Sequence, residues 1–438
     1  MRAQGDYLFF IENEPEQQSV LLTALEEDLN RYNKLLEFGY LTYKNEQISF
    51  SFVGLIVLDK FNVCVLPKYF RNIELSDDTL LGEFIKIIKV LRKAGQVETS
   101  LPDFQFLNSN SKINLSEIVL ADQILRDYLD YGIYRQVVGL PIINGAGEIN
   151  WTMTVDLIDP IISRGKPIYL DSYSDLQSIN EANVITTVHK FAIGKCLKKF
   201  GLLLDYQFNF DEQFDEKLSD IGSTEYLTSV LQRELNITYG DRYVAVIKRL
   251  LLYIKLAESN SAQKKLDIFG TGYFHTIWEK ACGILFNNKI EQYKQYFSLP
   301  KWHDLQGNSI TKDGLRPDII VEISKSRSIA ILDAKYYNLS YKLNPFNVFG
   351  NPGISDIIKQ FLYQEMLEKT SAFNVSNFFV FPSYQTDNVD IIGYTTLPLF
   401  AKKKIINLKV SEDLAMKAYL NNSSIGVEMV DCLLRNPI

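Results

Sequence analysis

The feature that most constrains the fold of this chain is a pair of apolar, β-branched runs that lie close together. They cover residues 318–323 and 329–336, and the residues between them are Ser, Lys, Ser, Arg and Ser. Two such runs, separated by polar residues that favour turns, are typical of the strands of a β-hairpin. The second half of the chain is therefore expected to be organised around this hairpin.

Two acids and a lysine are placed to meet on one face of the hairpin. Side chains alternate across a strand, so Asp333 and Lys335 share a face. If the loop holds an even number of residues centred between Ser326 and Arg327, Asp318 lies opposite Lys335 and diagonal to Asp333. Such neighbours lie roughly 5 to 8 Å apart, which lets two carboxylates bind one hard cation. An odd loop would place Asp318 on the other face.

These residue types suit phosphodiester hydrolysis. Mg²⁺ binds one or two carboxylates together with waters and substrate phosphate, and it polarises a phosphoryl oxygen and acidifies a water. An ammonium group nearby can orient that water or offset transition-state charge. The alternative is that Asp318 is a loop residue and that Asp333 and Lys335 form a solvated strand face. Convergence of all three on one face favours the metal site.

The same residues resemble a known signature. Pro317-Asp318, followed after fourteen residues by Asp333-Ala334-Lys335, is similar to the PD-(D/E)xK pattern of restriction-endonuclease-like nucleases. With Tyr336 and the apolar strand around it, the pattern more narrowly resembles McrC-type nuclease subunits and LlaJI-type restriction endonucleases. Residues 52–70 and 147–154 also resemble LlaJI-type proteins.

The resemblance implies a role for each residue of the signature. Asp318 and Asp333 would bind Mg²⁺, with the carbonyl of Ala334 as a further ligand, and Lys335 would orient the attacking water. In the resembling nucleases an acid on the helix before the hairpin often completes the metal site. Glu279 is the best-placed acid here, and an exposed helix glutamate is the alternative.

The helix after the hairpin carries one further site residue by the same resemblance. Nuclease relatives often carry a Gln and a Tyr one helical turn apart in this helix. Gln360 is assigned to the site on that basis, whereas Tyr363 follows after three residues instead of four and is not assigned.

The resemblance also implies DNA as substrate and an McrB-like AAA+ GTPase as partner, contacted by the N-terminal half. The chain has no GxxxxGK[ST] sequence, so it is not expected to hydrolyse a nucleotide through a P-loop. Its net charge of −7 provides no global attraction to DNA, which favours a partner that brings it there. The alternatives are an autonomous type II-like restriction endonuclease and a non-catalytic regulator of a partner NTPase. The oligomeric state stays open.

The expected fold class is α/β in several domains, because 438 residues exceed the usual size of one core. An N-terminal α+β domain with β-hairpins is predicted over residues 1–178 and a helical connecting segment over 179–261. A restriction-endonuclease-like domain, with a mixed central sheet flanked by helices, is predicted over 262–438.

The chain is expected to be cytoplasmic. The four cysteines and three histidines are scattered, which argues against a zinc site or disulfides and predicts reduced thiols. No apolar stretch approaches the 18 residues of a membrane span, and the N-terminus does not resemble a signal peptide.

Hydrophobic periodicity predicts individual elements. Helices are predicted over residues 19–34, 77–94, 115–131, 180–204, 224–260 with a break at 239–240, and 355–369. Strands are predicted over residues 48–58, 63–66, 149–157, 377–381, 389–394 and 405–410, and an exposed loop over 95–111.

Overall fold

The structure is a computed structural model. It describes residues 2–25, 28–58, 61–97, 116–180, 183–206, 214, 217–262, 267–297, 300–312, 314, 316–323, 328–370, 374–400 and 403–424. The chain divides into two compact units, one formed by residues 1–112 together with 266–438 and the other by residues 113–265. The three predicted domains do not coincide with these units, because the N-terminal residues belong with the C-terminal part.

The helices of the described residues are α1 (Gln18–Ala24), α2 (Leu29–Glu37), α3 (Asp77–Val97), α4 (Glu117–Tyr131), α5 (Trp151–Leu157), α6 (Val184–Phe200), α7 (Leu218–Ile221), α8 (Thr224–Ile237), α9 (Asp241–Ala262), α10 (Phe274–Leu285), α11 (Ile290–Tyr293), α12 (Ile354–Thr370) and α13 (Glu412–Asn421). The strands are β1 (Arg2–Gln4), β2 (Tyr7–Ile11), β3 (Glu16–Gln17), β4 (Leu41–Lys44), β5 (Gln47–Phe50), β6 (Val53–Val57), β7 (Asn62–Leu66), β8 (Gln136–Ile143), β9 (Glu148–Ile149), β10 (Ile161–Ser163), β11 (Lys166–Ile168), β12 (Tyr173–Asn180), β13 (Asp267–Thr271), β14 (Lys301–His303), β15 (Ser309–Thr311), β16 (Ile319–Ile323), β17 (Ser328–Ala334), β18 (Ser340–Leu343), β19 (Phe346–Phe349), β20 (Asn374–Ser383), β21 (Val389–Thr395) and β22 (Ile405–Ser411).

The first unit contains a five-stranded N-terminal sheet in the order β1-β2-β7-β6-β13. Its last strand comes from far along the chain, and β13 pairs antiparallel with β6 so that Gly270 lies opposite Gly54. Gly54 has a φ of +150°, and a Cβ there would lie 2.2 Å from the carbonyl oxygen of Phe269. Only glycine fits this backbone and this spacing. The pairing with β13 is one of the links between the N-terminal residues and the C-terminal part.

A second five-stranded sheet in the same unit has the order β16-β17-β20-β22-β21. The β16–β17 and β21–β22 pairs are antiparallel, whereas β17–β20 and β20–β22 are parallel. Helix α12 lies in the connection from β17 to β20, after β18 and β19, and packs on the sheet through fully buried Phe361 and Leu367. This is the mixed sheet flanked by helices that the sequence predicts, and it carries the hairpin of the candidate site.

The second unit combines helices with a small sheet. Strands β8, β12 and β9 form an antiparallel sheet, and β10 pairs with β11. His189 of α6 is buried, and its Nδ1 accepts a hydrogen bond of 3.0 Å from the backbone N–H of Tyr134. Burial, with the nearby charges of Arg242 and Arg249, lowers the pKa of His189 to about 4. This histidine is a neutral packing residue of the unit.

Most of the predicted helices and strands are confirmed, and three are wrong in part. The helix predicted over 19–34 is two helices, because Asp28 accepts the backbone N–H groups of Asn30 and Arg31 and so begins α2. The run predicted as one strand over 48–58 is divided between β5 and β6, which belong to different sheets. The strand predicted over 149–157 is mostly helix α5, because Asn150 accepts the backbone N–H of Met153 and caps it.

Three other expectations concern the cysteines, the loop over 95–111 and membrane spans. Cys64, Cys196 and Cys282 are buried free thiols, as predicted, and Cys432 lies outside the described residues. Of the predicted loop over 95–111, residues 95–97 continue α3 and the rest lie outside the described residues. Among the helices that the structure describes, none combines the length and apolar character needed to cross a bilayer.

Candidate active site

The hairpin brings the two acids of the signature face to face. Ile319 pairs with Leu332, and continuing that register by one residue places Asp318 directly opposite Asp333. The loop is even, so the prediction that both acids share a face is confirmed. The predicted partner is corrected, because the observed register is shifted by two residues and Asp318 lies opposite Asp333 instead of Lys335.

The facing carboxyl groups are largely removed from solvent. Asp333 is 8% exposed, and Asp318 Oδ2 accepts a hydrogen bond of 3.0 Å from the backbone N–H of Ala334. Burial, a hydrogen bond to Asp333 and the charges of Asp333 and Glu279 raise the pKa of Asp318 well above its usual range, and the Ala334 N–H opposes this. Two acids that cannot both ionise unaided form a donor set that a divalent cation fits.

Lys335 lies between two carboxylates. Its Nζ is 2.9 Å from Oδ2 of Asp333 and 3.2 Å from Oδ1 of Asp356. Burial opposes the charge of Lys335, but the two acids outweigh it, so the pKa of Lys335 lies above its usual value. The ammonium group is therefore held at the site by an acid on each side.

Asp356 is a site residue that the sequence reasoning missed. It lies in the first turn of α12, the helix that directly precedes β20. The signal available in the sequence was an acid just after Asn351-Pro352-Gly353, at the start of the helix after the hairpin. Only the crossover of α12 over the sheet brings it to Lys335.

The backbone of Asp318 is held from outside the hairpin by Asn288. Asn288 Nδ2 donates to the carbonyl oxygen of Asp318 at 2.8 Å, and its Oδ1 accepts the N–H groups of Ile320 and Ile290 at 3.0 and 2.9 Å. Asn288 is placed there by the end of α10, where Asn287 has a φ of +52° and the Asn288 N–H donates to the carbonyl of Gly283. The end of α10 thus determines where Asp318 lies.

A tyrosine of α12 holds the same segment from the other side. The O–H of Tyr363 donates to the carbonyl oxygen of Arg316 at 2.9 Å. Burial and the charges of Asp333 and Asp318 raise the pKa of Tyr363 to about 12. Tyr363 therefore remains a neutral hydrogen-bond donor, and it fixes the chain two residues before Asp318.

The strand of the signature is also tied to the N-terminal sheet. Tyr336, the residue after Lys335, donates its O–H to buried Glu12 at 2.6 Å. The backbone N–H of Lys68 donates to the same carboxylate oxygen at 3.3 Å, and the Lys68 ammonium lies 4.3 Å from the centre of the Tyr336 ring. Residues from the beginning of the chain thus support the end of β17.

Glu279 lies beside the acid pair, on the exposed side of α10. Partial burial and the charge of Asp333 raise the pKa of Glu279, while Lys280, Lys335 and Arg316 oppose the rise. In the part of the chain that the structure describes, no three side chains from His, Cys, Asp and Glu are arranged to hold a metal ion together. Glu279 lies next to the two aspartates but does not complete a metal-binding group with them among these residues. Its role as a third ligand stays a prediction.

Gln360 is assigned to the site by resemblance, but its side chain lies in the core beneath α12. The assignment is corrected on that point. Gln360 is fully buried, and its Nε2 donates to the carbonyl oxygens of Ile331 and Phe378, both at 3.3 Å. These carbonyls belong to β17 and β20, so Gln360 joins two neighbouring strands beneath α12. Ala334 contributes its N–H to Asp318, and metal binding by its carbonyl stays a prediction.

The site thus consists of two facing acids with a lysine beside them, on a hairpin of a mixed sheet flanked by helices. The family model of the LlaJI restriction endonucleases matches residues 52–413. The chain therefore belongs to the LlaJI restriction endonuclease family.

Individual relatives agree with that membership. The chain is 29% identical over 430 residues to the type II restriction enzyme BsuMI component YdjA of Bacillus subtilis (strain 168), a match that covers 96% of this chain and 90% of the relative. Among solved structures, it aligns with an assembly of Thermococcus gammatolerans McrB AAA+ hexamers with bound McrC at 14% identity, covering 98% of this chain and 100% of that chain with a TM-score of 0.43. The Thermococcus gammatolerans McrBC complex aligns at 16% identity over 57% of this chain and 80% of that chain, with a TM-score of 0.27.

Proposed function

We propose that this chain is a Mg²⁺-dependent endodeoxyribonuclease subunit of a restriction system that acts against foreign DNA. The observation that carries the proposal is the placement of Asp318 opposite Asp333 with the Lys335 ammonium 2.9 Å from Asp333. Membership of a restriction endonuclease family supports the reaction class and the substrate.

In this proposal Asp318 and Asp333 hold the cation, with the Ala334 carbonyl as a further ligand and Glu279 at the border of the site. When bound, Mg²⁺ supplies a Lewis acid that polarises the phosphoryl oxygen and lowers the pKa of a water. Asp318 would have to lose its proton to serve as a ligand, because burial and the neighbouring acids Asp333 and Glu279 raise its pKa in the metal-free protein.

Lys335 has a second acidic partner besides Asp333. Even if the Asp333 carboxylate bound a cation, Asp356 at 3.2 Å would hold the ammonium group at the site. A fixed ammonium can donate a hydrogen bond to the attacking water or to a phosphate oxygen, where transition-state charge develops. We assign Asp356 the role of positioning Lys335.

We further propose that the subunit works with an McrB-like AAA+ GTPase. The chain has no P-loop sequence, and its net charge of −7 gives it no general attraction to DNA. The relative from Bacillus subtilis is named as a component of a restriction enzyme, which supports a division of labour between subunits.

The test is DNA cleavage by Asp333→Asn and Lys335→Ala proteins, each mixed with the partner GTPase, Mg²⁺ and nucleotide. Each substitution is expected to reduce cleavage at least about a hundredfold, as loss of one charge-stabilising group does in other enzymes. Asp390→Asn is the matched control, because Asp390 is an exposed aspartate on β21 of the same sheet.

The outcomes separate this proposal from its rivals. Full-rate cleavage by Asp333→Asn would remove the assigned site. Efficient site-specific cutting by the chain alone with Mg²⁺ and no nucleotide would instead identify an autonomous restriction endonuclease. Unchanged defence against phage in cells carrying Lys335→Ala would identify a non-catalytic regulator.

A further inference from the structure

A cavity of about 640 Å³ opens beside the acid pair, within the unit formed by residues 1–112 and 266–438. Asp318 and Glu279 both line it, so the cavity reaches the candidate metal site. Its volume lies within the range of roughly 300 to 1,000 Å³ that is typical of ligand sites, which is enough room for nucleotide-sized groups.

Two cations of this cleft lie close to the acids. Lys280 follows Glu279 on α10, Arg316 lies two residues before Asp318, and both line the cavity. The charges of Lys280 and Arg316 act to lower the pKa of the Glu279 carboxyl group, against the effect of its burial. In a chain with a net charge of −7, the cleft thus has basic side chains next to the acids, where a phosphodiester would have to approach.

Arg316 is able to exchange its present partner for a phosphate. Its guanidinium lies 2.8 Å from Glu291, and the two side chains are 54% and 67% exposed. Exposed ion pairs contribute little to stability, so a phosphate that offers two acceptor oxygens can compete for the guanidinium. The backbone of Arg316 does not need to move, because Tyr363 already holds its carbonyl oxygen.

A third cation at the cleft, Lys93, is already used in holding the wall. Its ammonium group donates to the carbonyl oxygens of Tyr419 and Leu420 at 2.6 and 3.2 Å, and to Oδ1 of Asn422 at 2.8 Å. A cation at the C-terminus of a helix satisfies carbonyls that have no partner within the helix, here those of α13. Lys93 is therefore a structural residue of the cleft.

The wall formed by α10 is open at one helical position. Gly283 lines the cavity, and a Cβ built there would make only an ordinary contact, 3.8 Å from the Asn288 side chain. Glycine in a helix costs stability relative to residues with side chains, so this position keeps the cleft open at the expense of the helix.

We propose that this cleft binds the phosphodiester backbone of a DNA strand next to the bond that is cut, with Arg316 and Lys280 as its phosphate contacts. The inference rests on the proposed nuclease function and names where that substrate lies. Arg316 and Lys280 should therefore bind DNA of any base sequence equally well, since phosphates carry no sequence information.

The test measures binding without cleavage. Full-length protein together with its partner is titrated into labelled duplex DNA in EDTA, over a series of salt concentrations. Arg316→Ala and Lys280→Ala are each expected to weaken binding roughly threefold at moderate salt. Each should also lower the salt slope, which is the steepness with which the logarithm of the binding constant falls with the logarithm of the salt concentration, by about one. Lys342→Ala is the control, because Lys342 is an exposed lysine on β18 that does not line the cleft.

A second variant tests the cleft without removing a charge. Gly283→Leu is expected to keep the thermal transition of the wild-type protein, because leucine favours a helix and the position is open, and to weaken DNA binding at least as much as Arg316→Ala. Wild-type affinity and salt slope in all three variants would overturn the inference. So would displacement of the duplex by an equal concentration of a 5′-mononucleotide, which would assign the cleft to a free nucleotide.

Failure of this inference is distinguishable from failure of the proposed function. If the cleft variants bind DNA normally while Asp333→Asn abolishes cleavage, the nuclease assignment stands and only the position of the strand is wrong. If Asp333→Asn cleaves DNA at full rate, the nuclease site is wrong whatever the binding data show.

Discussion

Replacing Asp318 by Asn should stabilise the metal-free protein. The amide keeps an oxygen that can accept the Ala334 N–H, and its N–H can donate to Asp333 as the protonated acid does. In the wild-type protein, burial and the neighbouring acids make Asp318 hold a proton that the unfolded chain has lost at neutral pH, which costs folding free energy. The scale of this cost is set by the alternative of ionising both acids, about 4 kcal/mol for two unit charges about 4 Å apart at an effective dielectric constant of about 20. The Lys335 ammonium at 2.9 Å from Asp333 offsets part of this, which leaves an expected gain of about 2 kcal/mol.

The pH dependence has a definite sign. The pKa of Asp318 is raised in the folded protein, whereas the unfolded chain titrates near 3.9. The folded state therefore holds the proton more tightly, and the stability of the wild-type protein falls as the pH rises above about 4 towards the raised pKa. Asp318→Asn removes this dependence, so its advantage should grow between pH 5 and pH 8.

The assay is thermal unfolding with and without Mg²⁺, at pH 5 and at pH 8. A gain of about 2 kcal/mol corresponds to a shift of a few degrees for a unit of this size. Mg²⁺ should stabilise the wild-type protein more than Asp318→Asn, because the cation replaces the proton between the two acids. Asp390→Asn should shift neither curve. A variant that is less stable than wild type at pH 8 without metal, and equally stabilised by Mg²⁺, would refute the reasoning.

Substitutions around the site and in the N-terminal sheet have further expected outcomes. Asn288→Ala should cost roughly 2 to 4 kcal/mol in chemical denaturation, because three hydrogen bonds of its side chain are lost. It should also raise the Mg²⁺ concentration for half-maximal cleavage, because two of these bonds hold the backbone at Asp318 and Ile320; an unchanged Mg²⁺ requirement would contradict the role of Asn288 in positioning Asp318. Asp356→Asn should lower kcat with little change in DNA affinity, and Asp356→Glu should restore part of it; a pure affinity defect would contradict a positioning role. Gly54→Ala should cost roughly 3 kcal/mol or more, since its Cβ would lie 2.2 Å from a carbonyl oxygen, whereas Gly82→Ala, with open space around it, should be neutral or stabilising in the same melt.

The common face of the acids could be predicted because side-chain alternation is a local property of a strand. Asp333 and Lys335 share a face in any strand, and an even loop adds Asp318. The register could not be predicted, because it depends on which turn the chain adopts between the two runs. Asp356 could not be predicted either, because its contact with Lys335 depends on how α12 crosses the sheet.

Local capping chemistry explains the clearest error in secondary structure. Apolar and polar residues alternate over 149–157, which is the pattern of a strand, but Asn150 accepts the backbone N–H of Met153 and begins a helix. The pairing of β13 could not be predicted for a different reason. Its five residues pair with Val53–Val57, from which more than two hundred residues separate them, and no local pattern reports such a pairing.

Strand β13 makes the unit that carries the candidate site discontinuous in sequence. A fragment that begins at residue 267 would keep Asp318, Asp333 and Lys335 but lose four of the five strands of the N-terminal sheet, together with Glu12, the acceptor of the Tyr336 O–H. Excising residues 113–265 and joining the flanks with a linker preserves both sheets. Attempts to isolate a minimal nuclease, or to exchange it between relatives, should therefore transfer two segments at once.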